Sequence, residues 1–447
     1  MSDSLEAFEA LVRGLGDRAP DVTEYRALSA MMLDHPMVPR LQALDPHSEV
    51  YREAALALYR DLRGSERAYV AEEDERSGAL LPDNVMTGVS PWIFRDAGMI
   101  AEFLFSWGQI MRALALPPNS EASILEYGSG SGQLLLMLAR IGLRVAAVDI
   151  DLASLESVRA QAALMRVEVR TEQAGFGEGF EGERFDRIIF FEAFHHAIGF
   201  DALLGRLRQR LNEGGRLILC GEPVVGTPLP SIPYPWGPRL DGLSVFCIRR
   251  YGWMELGFTE SFLVEAMQRR GWLVEVRPMA ECGRANSYVC EPYLGRDLEP
   301  GRLGSLGAHD HGWEGGEETH RWTRGGERAT FPLPDREGPT RVLVRCSNVL
   351  PRSLTLTLFD GDERVGEVGV PAGARDLALV VEPCHGRSLG LYTEGARPAD
   401  LWPETTDTRQ LGVAVHAIRI DLSDQVGPAT LALAGAAQAS EGLAQTW

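Results

Sequence analysis

A chain of 447 residues that is 45% hydrophobic and 24% charged has the makeup of a folded protein of roughly two to four domains. Its 63 acidic side chains outnumber 44 basic ones, for a net charge of −19, and every basic residue is arginine. The absence of lysine excludes Schiff-base, Walker-loop and kinase-lysine chemistry, and the acidic balance argues against general nucleic-acid binding.

Residues 1–118 read as a helical region. Tyr51, Ala55, Leu58 and Leu62 recur on one helical face before Gly64, a natural stop. A longer helix is expected from near Asp96 through Met111, closed by Pro117 and Pro118. The aromatic stretch 90–95 ahead of it reads as core packing. The start, Met1 to Glu6, is acidic and lacks a signal-like apolar run. No stretch reaches the roughly 18 apolar residues of a membrane span. The six cysteines form no CxxC pair and read as core thiols of a reducing, cytoplasmic protein.

From 119 to 294 strands alternate with helices, the signature of a parallel sheet covered on both faces. Strands are expected at 124–127, 144–149, 167–171, 186–191, 216–220, 273–276 and 287–291. Helices are expected at 133–140, 152–165, 201–211 and 261–270. A proline-rich, aromatic interruption at 223–258 is read as a lid loop. Between 305 and 432 the pattern turns to short strands, at 340–346, 353–359, 364–370, 377–381, 388–392 and 411–420. With Asp360-Gly361 as a hairpin turn, this predicts a β-sandwich. The Ala/Gln/Ser-rich tail 433–447 is expected to be poorly ordered. In the Gly-rich linker, His309-Asp310-His311 and Glu314 are read as solvated loop residues, and no metal is assigned.

The sharpest motif runs Ile124-Leu125-Glu126-Tyr127-Gly128-Ser129-Gly130-Ser131-Gly132-Gln133. An apolar strand ends in an acid, and spaced glycines then open a helix at the sheet edge where such folds bind ligands. Seventeen residues after Gly132 the second strand ends in Asp149, whose carboxylate can accept both hydroxyls of a ribose. A dinucleotide loop needs a glycine three residues after Gly130, and Gln133 stands there. The pattern E-x-G-x-G-x-G resembles that of class I S-adenosylmethionine-dependent methyltransferases.

Later landmarks resemble the same family. They are Arg184-Phe185-Asp186 leading into an apolar run, the pair His195-His196, and Leu211-Asn212-Glu213-Gly214-Gly215 entering strand five. The resemblance implies an α/β fold with a Rossmann-like methyltransferase sheet, here between an N-terminal helical region and a C-terminal β-sandwich. It implies S-adenosyl-L-methionine as cofactor. Glu126 and the backbone of Gly128, Ser129, Gly130 and Gly132 would hold the methionine part, and Asp149, with Ile150 beside it, the ribose side. Many members place an acid after strand three for the adenine amine; Gln173 stands near that place here.

Methyl transfer to a hydroxyl requires a base, and His195, His196 and Glu192 are the candidates at the sheet edge. Loop shaping is the competing account of the histidines. Tyr234, Trp236, Arg239, Arg249, Arg250, Tyr251 and Trp253 of the lid offer aromatic faces and guanidinium forks that suit sugars; packing of the lid is their alternative. Residues 305–425 resemble modules appended to bacterial enzymes of surface-polysaccharide pathways, with ligand binding or dimerisation as their role. The leading expectation is O-methylation of a sugar or saccharide intermediate. The alternatives are methylation of a nitrogen, a carbon or a non-sugar molecule, and a non-catalytic glycan-binding protein.

Overall fold

The structure, a computed structural model, describes residues 2–16, 18–76, 82–299, 302, 311–317, 319–334 and 338–435. It divides into two compact units, Met1–Met267 with Val274–Glu291, and Gln268–Leu273 with Pro292–Trp447. The helical region and the parallel sheet fall in the same unit.

The helices of the first unit are α1 (Ser2–Leu15), α2 (Val22–Ala30), α3 (Val38–Ala43), α4 (Glu49–Arg63), α5 (Ala71–Asp74) and α6 (Ala97–Leu114). Helix α4 begins where Ser48 Oγ accepts the Tyr51 N–H and ends at Gly64 with φ +70°, burying Tyr51, Ala55, Leu58 and Leu62. Helix α6 starts at the Asp96 cap, 2.7 Å from the Met99 N–H, and buries Met99, Phe103, Trp107 and Ile110. It stops at Ala115, before the prolines.

The sheet elements follow as β1 (Ser123–Tyr127), α7 (Gln133–Arg140), β2 (Arg144–Asp149), α8 (Leu152–Met165), β3 (Arg170–Gln173), β4 (Phe185–Phe191), α9 (Phe200–Gln209) and β5 (Leu211–Cys220). Next come β6 (Val224–Val225), β7 (Trp236–Pro238), α10 (Gly242–Tyr251), β8 (Leu256–Thr259), α11 (Glu260–Arg269), β9 (Trp272–Arg277) and β10 (Ser287–Pro292). The main sheet has the order β3-β2-β1-β4-β5-β10-β9. Strands β1 to β5 pair in parallel, and β10 runs antiparallel to β5. Covered on both faces, β1 and β2 are nearly continuous apolar runs. Tyr127 lies opposite Val148 and Phe190, Asp149 opposite Gln173, and Phe191 opposite Cys220. That register brings the carboxyl ends of five strands to one edge.

Strand β5 starts at Leu211, not 216, so α9 ends earlier than expected, at Gln209, and two further expectations change. Strand β3 starts at Arg170, not 167, because Arg166 closes α8 at φ +53° and the Val167 N–H is spent on Ala162 O. The segment 223–258 is not a loop: β6, β8 and β7 form a small sheet, and α10 lies within it. Short strands among prolines carry too little period to be read as strands.

In the second unit the strands are β11 (Asp297–Leu298), β12 (Trp313–Gly316), β13 (Arg321–Arg324), β14 (Arg328–Pro332), β15 (Thr340–Ser347), β16 (Leu354–Asp360), β17 (Glu363–Val370), β18 (Leu377–Cys384), β19 (Ser388–Tyr392), β20 (Leu411–Leu422) and β21 (Thr430–Gly435). They make two antiparallel sheets, β12-β13-β20-β15-β18-β21 with β11 on β20, and β14-β19-β16-β17. Val342, Val344, Ile418 and Ile420 of one sheet share a core with Phe331, Leu356, Leu358 and Leu391 of the other. Asp360-Gly361 does turn β16 into β17. Strand β21 pairs with β18 as far as Gly435, so the expected tail begins inside a strand, and residues 436–447 lie outside the described ones. Among the described residues no helix is long and apolar enough to cross a membrane.

Candidate functional site

The turn after β1 is built by its glycines. Gly128, Gly130 and Gly132 have φ values of +64°, +50° and +68°. A Cβ on Gly128 would meet Ala193 Cβ at 2.7 Å, and one on Gly132 would meet Val158 Cγ2 at 2.6 Å. A Cβ on Gly130 would meet nothing within 4 Å. The outer glycines serve packing, and the middle one faces open space.

Two polar atoms of this motif have no internal use. Glu126 is 3% exposed, and its Oε2 has no hydrogen-bond partner among the described residues; neither has Ser129 Oγ. Burial, with the Asp149 charge behind it, pushes the Glu126 carboxyl up to about 8. Asp149 Oδ2 accepts the Gly130 N–H at 2.8 Å, and Oδ1 accepts the Asp151 N–H at 2.9 Å. Those two donors only partly offset burial, which raises its carboxyl. The Gln173 amide donates to Ile150 O at 3.0 Å. Beside it opens a cavity of about 190 Å³ lined by Ile150, Ala174, Phe176, Tyr69 and His196, among others. Gln133 is engaged with its own neighbours, since Oε1 accepts from Trp92 Nε1 at 2.7 Å and Nε2 donates to Gln161 at 2.6 Å.

The histidines occupy a short 3-10 turn, Phe194–His196, just past β4. Glu222, two residues past β5, accepts the N–H groups of Ala193, Phe194 and His195 at 3.0–3.1 Å. Its Oε2 also lies 2.8 Å from His195 Nδ1. A carboxylate there accepts the Nδ1–H hydrogen bond, so the proton stays on Nδ1 and Nε2 is left as the acceptor. Burial, with His196 adjacent, drives the His195 imidazole well below its ordinary range. His195 Nε2 lies 3.8 Å from Glu255 Oε2, and Arg239 pairs with that same carboxylate. His196 Nδ1 is 3.0 Å from Glu75 Oε2. Burial would lower His196, yet Glu75, helped by Glu255 and Glu222, lifts it to about 9. Glu75 is fixed by donors at its other oxygen, Tyr69 Oη at 2.6 Å and the Met254 N–H at 2.7 Å.

The remaining expected residues separate into two groups. Arg239 joins the cluster, and Trp253 stands edge-on to His196 with Tyr251 stacked on it at 4.6 Å. Tyr234 and Trp236 are at most 2% exposed; Tyr234 Oη donates to Pro238 O, and Trp236 donates to Pro46 O and packs on Tyr51, Phe200 and Phe262. Arg249 bonds Leu62 O and Glu9 and lies over Phe8, on the N-terminal helices. Arg250 is an exposed neighbour on the same helix end. Tyr234 and Trp236 are thus packed inside the fold, and Arg249 is tied to the N-terminal helices. The Glu192 carboxylate is held 2.6 Å from Arg284. In the linker, His309 and Asp310 lie outside the described residues, and His311 is exposed, 3.7 Å from Glu327.

Sequence reasoning missed Glu75, Glu222 and Glu255. Glu222 left a readable signal, an acid just past the end of the strand beside the one that carries the histidines. Glu75 and Glu255 come from segments whose approach only the fold reveals.

Residues 101–274 match the family model of a methyltransferase domain. Over 120 residues the chain is 31% identical to a protein-L-isoaspartate O-methyltransferase of Methylorubrum populi, covering 27% of this chain and 53% of that one. The chain thus spans about half the length of the curated relative it matches. Among solved structures it is similar to the CcbJ methyltransferase of Streptomyces caelestis, at 16% identity over 42% of this chain and 89% of that one, TM-score 0.33. An S-adenosylmethionine-dependent methyltransferase of Clostridium acetobutylicum is similar at 10% identity over 42% and 92%, TM-score 0.33.

Proposed function

We propose that this chain, whose methyltransferase domain takes S-adenosylmethionine as its cofactor, carries the methyl group to an oxygen of an acceptor bound beside His195 and His196. The observation that carries the donor half is the buried, unpartnered oxygen of Glu126 beside the open space at Gly130. A desolvated carboxylate without a partner suits the ammonium of the donor's methionine part. Asp149 and Ile150 suit the ribose side, and the cavity next to Gln173 suits the adenine.

In the transfer, an acceptor lone pair forms a bond to the methyl carbon as the carbon–sulfur bond breaks, leaving its electron pair on sulfur. Alignment of the two reactants supplies up to about 7–11 kcal/mol of such a barrier. A hydroxyl must also shed its proton, which a carbon or a free amine acceptor need not do in this way. The support for oxygen is His195, whose Nδ1 faces Glu222 and whose Nε2 is thereby left to accept a proton. The name of the curated relative also specifies oxygen.

The finer proposal is a sugar or saccharide intermediate of surface-glycan biosynthesis, methylated in the cytoplasm. Its support is the resemblance of the C-terminal antiparallel module, read as a β-sandwich, to those of polysaccharide enzymes. A non-sugar acceptor is favoured by one observation, the withdrawal of Tyr234, Trp236 and Arg249 into packing. Calorimetry with S-adenosylhomocysteine and with NAD tests the donor half. Micromolar binding of the first and none of the second is expected, and binding of NAD alone overturns it. Mass spectrometry of surface glycan from a strain lacking the gene tests the acceptor: a methyl group goes missing, or the saccharide reading fails.

A further inference from the structure

The side chains around the two histidines are arranged in a way that proton handling alone does not require. One ring nitrogen of His195, one of His196 and one carboxylate oxygen of Glu255 lie within 4.8 Å of one another. His195 Nδ1 is hydrogen-bonded to Glu222 at 2.8 Å, and His196 Nδ1 lies 3.0 Å from Glu75, out of line for a hydrogen bond. Both carboxylates are fixed from behind, Glu222 by three backbone N–H groups and Glu75 by Tyr69 and the Met254 N–H. An imidazole whose Nδ1 faces an anchored carboxylate presents Nε2 as its ligating nitrogen, and such carboxylates orient metal-bound histidines generally.

The charges point the same way. Glu75, Glu222 and Glu255 bring three carboxylates to the two rings, and Arg239 is the guanidinium paired among them, on Glu255. Carboxylates gathered in this way favour a cation among them. His195 Nε2 and Glu255 Oε2 are 3.8 Å apart, too far for a hydrogen bond. That separation is close to the roughly 3.4 Å between two ligands that each bind one tetrahedral ion at about 2.1 Å.

We propose that His195, His196 and Glu255 form a binding site for one divalent transition ion of the zinc, cobalt or manganese type, oriented by Glu222 and Glu75. Two imidazoles and a carboxylate select that class over magnesium or calcium. Arg239 donates to Glu255 Oε2, the oxygen that lies 3.8 Å from His195 Nε2, and a carboxylate oxygen that accepts one hydrogen bond keeps a second lone pair for the ion. A fourth position on the ion is left for a ligand from outside the protein. On the methyltransferase reading, on which only this consequence rests, that ligand is the acceptor oxygen, whose proton passes to water more readily once the oxygen is bound to the ion.

The test uses the full chain. Cobalt(II) titration is expected to give visible d–d absorption saturating at one equivalent, and X-ray absorption of the zinc form to give imidazole ligands. His195→Ala and Glu255→Gln should each weaken ion binding at least tenfold, with S-adenosylhomocysteine binding retained; His196→Ala should weaken ion binding as much, and its donor affinity is not a control because His196 also lines the cavity beside Gln173. Failure of zinc, cobalt and manganese to bind a chain that does bind S-adenosylhomocysteine overturns the site. So does an absorption spectrum without imidazole, a measurement on the unaltered chain that does not depend on whether the variants fold. One bound ion without S-adenosylhomocysteine binding keeps the site and removes the methyltransferase reading.

Discussion

His195 and Glu222 meet twice: the carboxylate lies 2.8 Å from the imidazole Nδ1 and also accepts the backbone N–H of the same residue at 3.0 Å. One side chain from the end of β5 thereby fixes both the fold of the turn after β4 and the tautomer of its first histidine. Glu222→Gln replaces one acceptor oxygen by an amide nitrogen that faces donors. Stability should fall by about 3–5 kcal/mol, the scale for breaking a buried charged contact. Urea denaturation checks this, and an unchanged midpoint would separate Glu222 from the architecture of the turn.

Glu126 ties ligand binding to pH. Its folded value, about 8, lies above the ordinary 4.5, so the folded chain keeps a proton that the unfolded chain loses. The stability it contributes is present below about 4.5 and declines as pH rises to about 8. A bound ammonium favours the ionised carboxylate and expels that proton. Calorimetry of S-adenosylhomocysteine at about pH 6.5, in buffers of differing ionisation enthalpy, should report release of close to one proton. Glu126→Gln should release none. A wild-type chain that releases none would take Glu126 out of the ligand site.

The three glycines should fail differently. Gly128→Ala places a methyl 2.7 Å from Ala193 Cβ, so melting temperature should drop sharply. Gly130→Ala meets nothing inside the protein and costs only about 1 kcal/mol for its left-handed backbone. It should stay folded while losing S-adenosylhomocysteine affinity at least tenfold. Full affinity in a folded Gly130→Ala chain would show that the open space is not the donor's.

Asp149→Ala removes an acceptor worth about 1.5–3 kcal/mol to ribose hydroxyls and frees the Gly130 N–H it now holds. Cofactor affinity should fall roughly 10- to 150-fold. Unchanged affinity in a folded variant would leave Asp149 as a brace for the loop alone.

His195→Ala should lower turnover about 10²–10⁴-fold, the usual weight of a group that handles the acceptor proton. Affinity for S-adenosylhomocysteine should hold, because the donor contacts come from β1, β2 and β3. Near-wild-type turnover would favour a carbon or amine acceptor.

Much of this is legible in the sequence. Helices α7 and α8 and strand β2 fall on their expected bounds, because the glycine turn before α7, the acid that ends β2 and the apolar runs between them are written in the local sequence. The glycine loop, Glu126 and Asp149 are legible for the same reason, being contiguous or one strand apart. The carboxylates around the histidines are not. Glu75, Glu222 and Glu255 reach His195 and His196 from a short helix, a strand end and the segment before β8, and no local period connects them. The prolines of 223–258 conceal a folded insertion, and with it the burial of Tyr234 and Trp236.

Gln133 stands where a dinucleotide loop would carry glycine, and its side chain grips Trp92, while Ser131 Oγ donates to Ser90 O at 2.7 Å. The stretch ahead of α6 and the glycine loop are therefore one exchangeable part. A chimaera that imports a related sheet onto these helices, or these helices onto a related sheet, must carry residues 90–94 and 131–133 together. If they are separated, an indole N–H and an amide are left facing surfaces never shaped for them. The break would then fall at the loop that holds the donor, far in sequence from the seam.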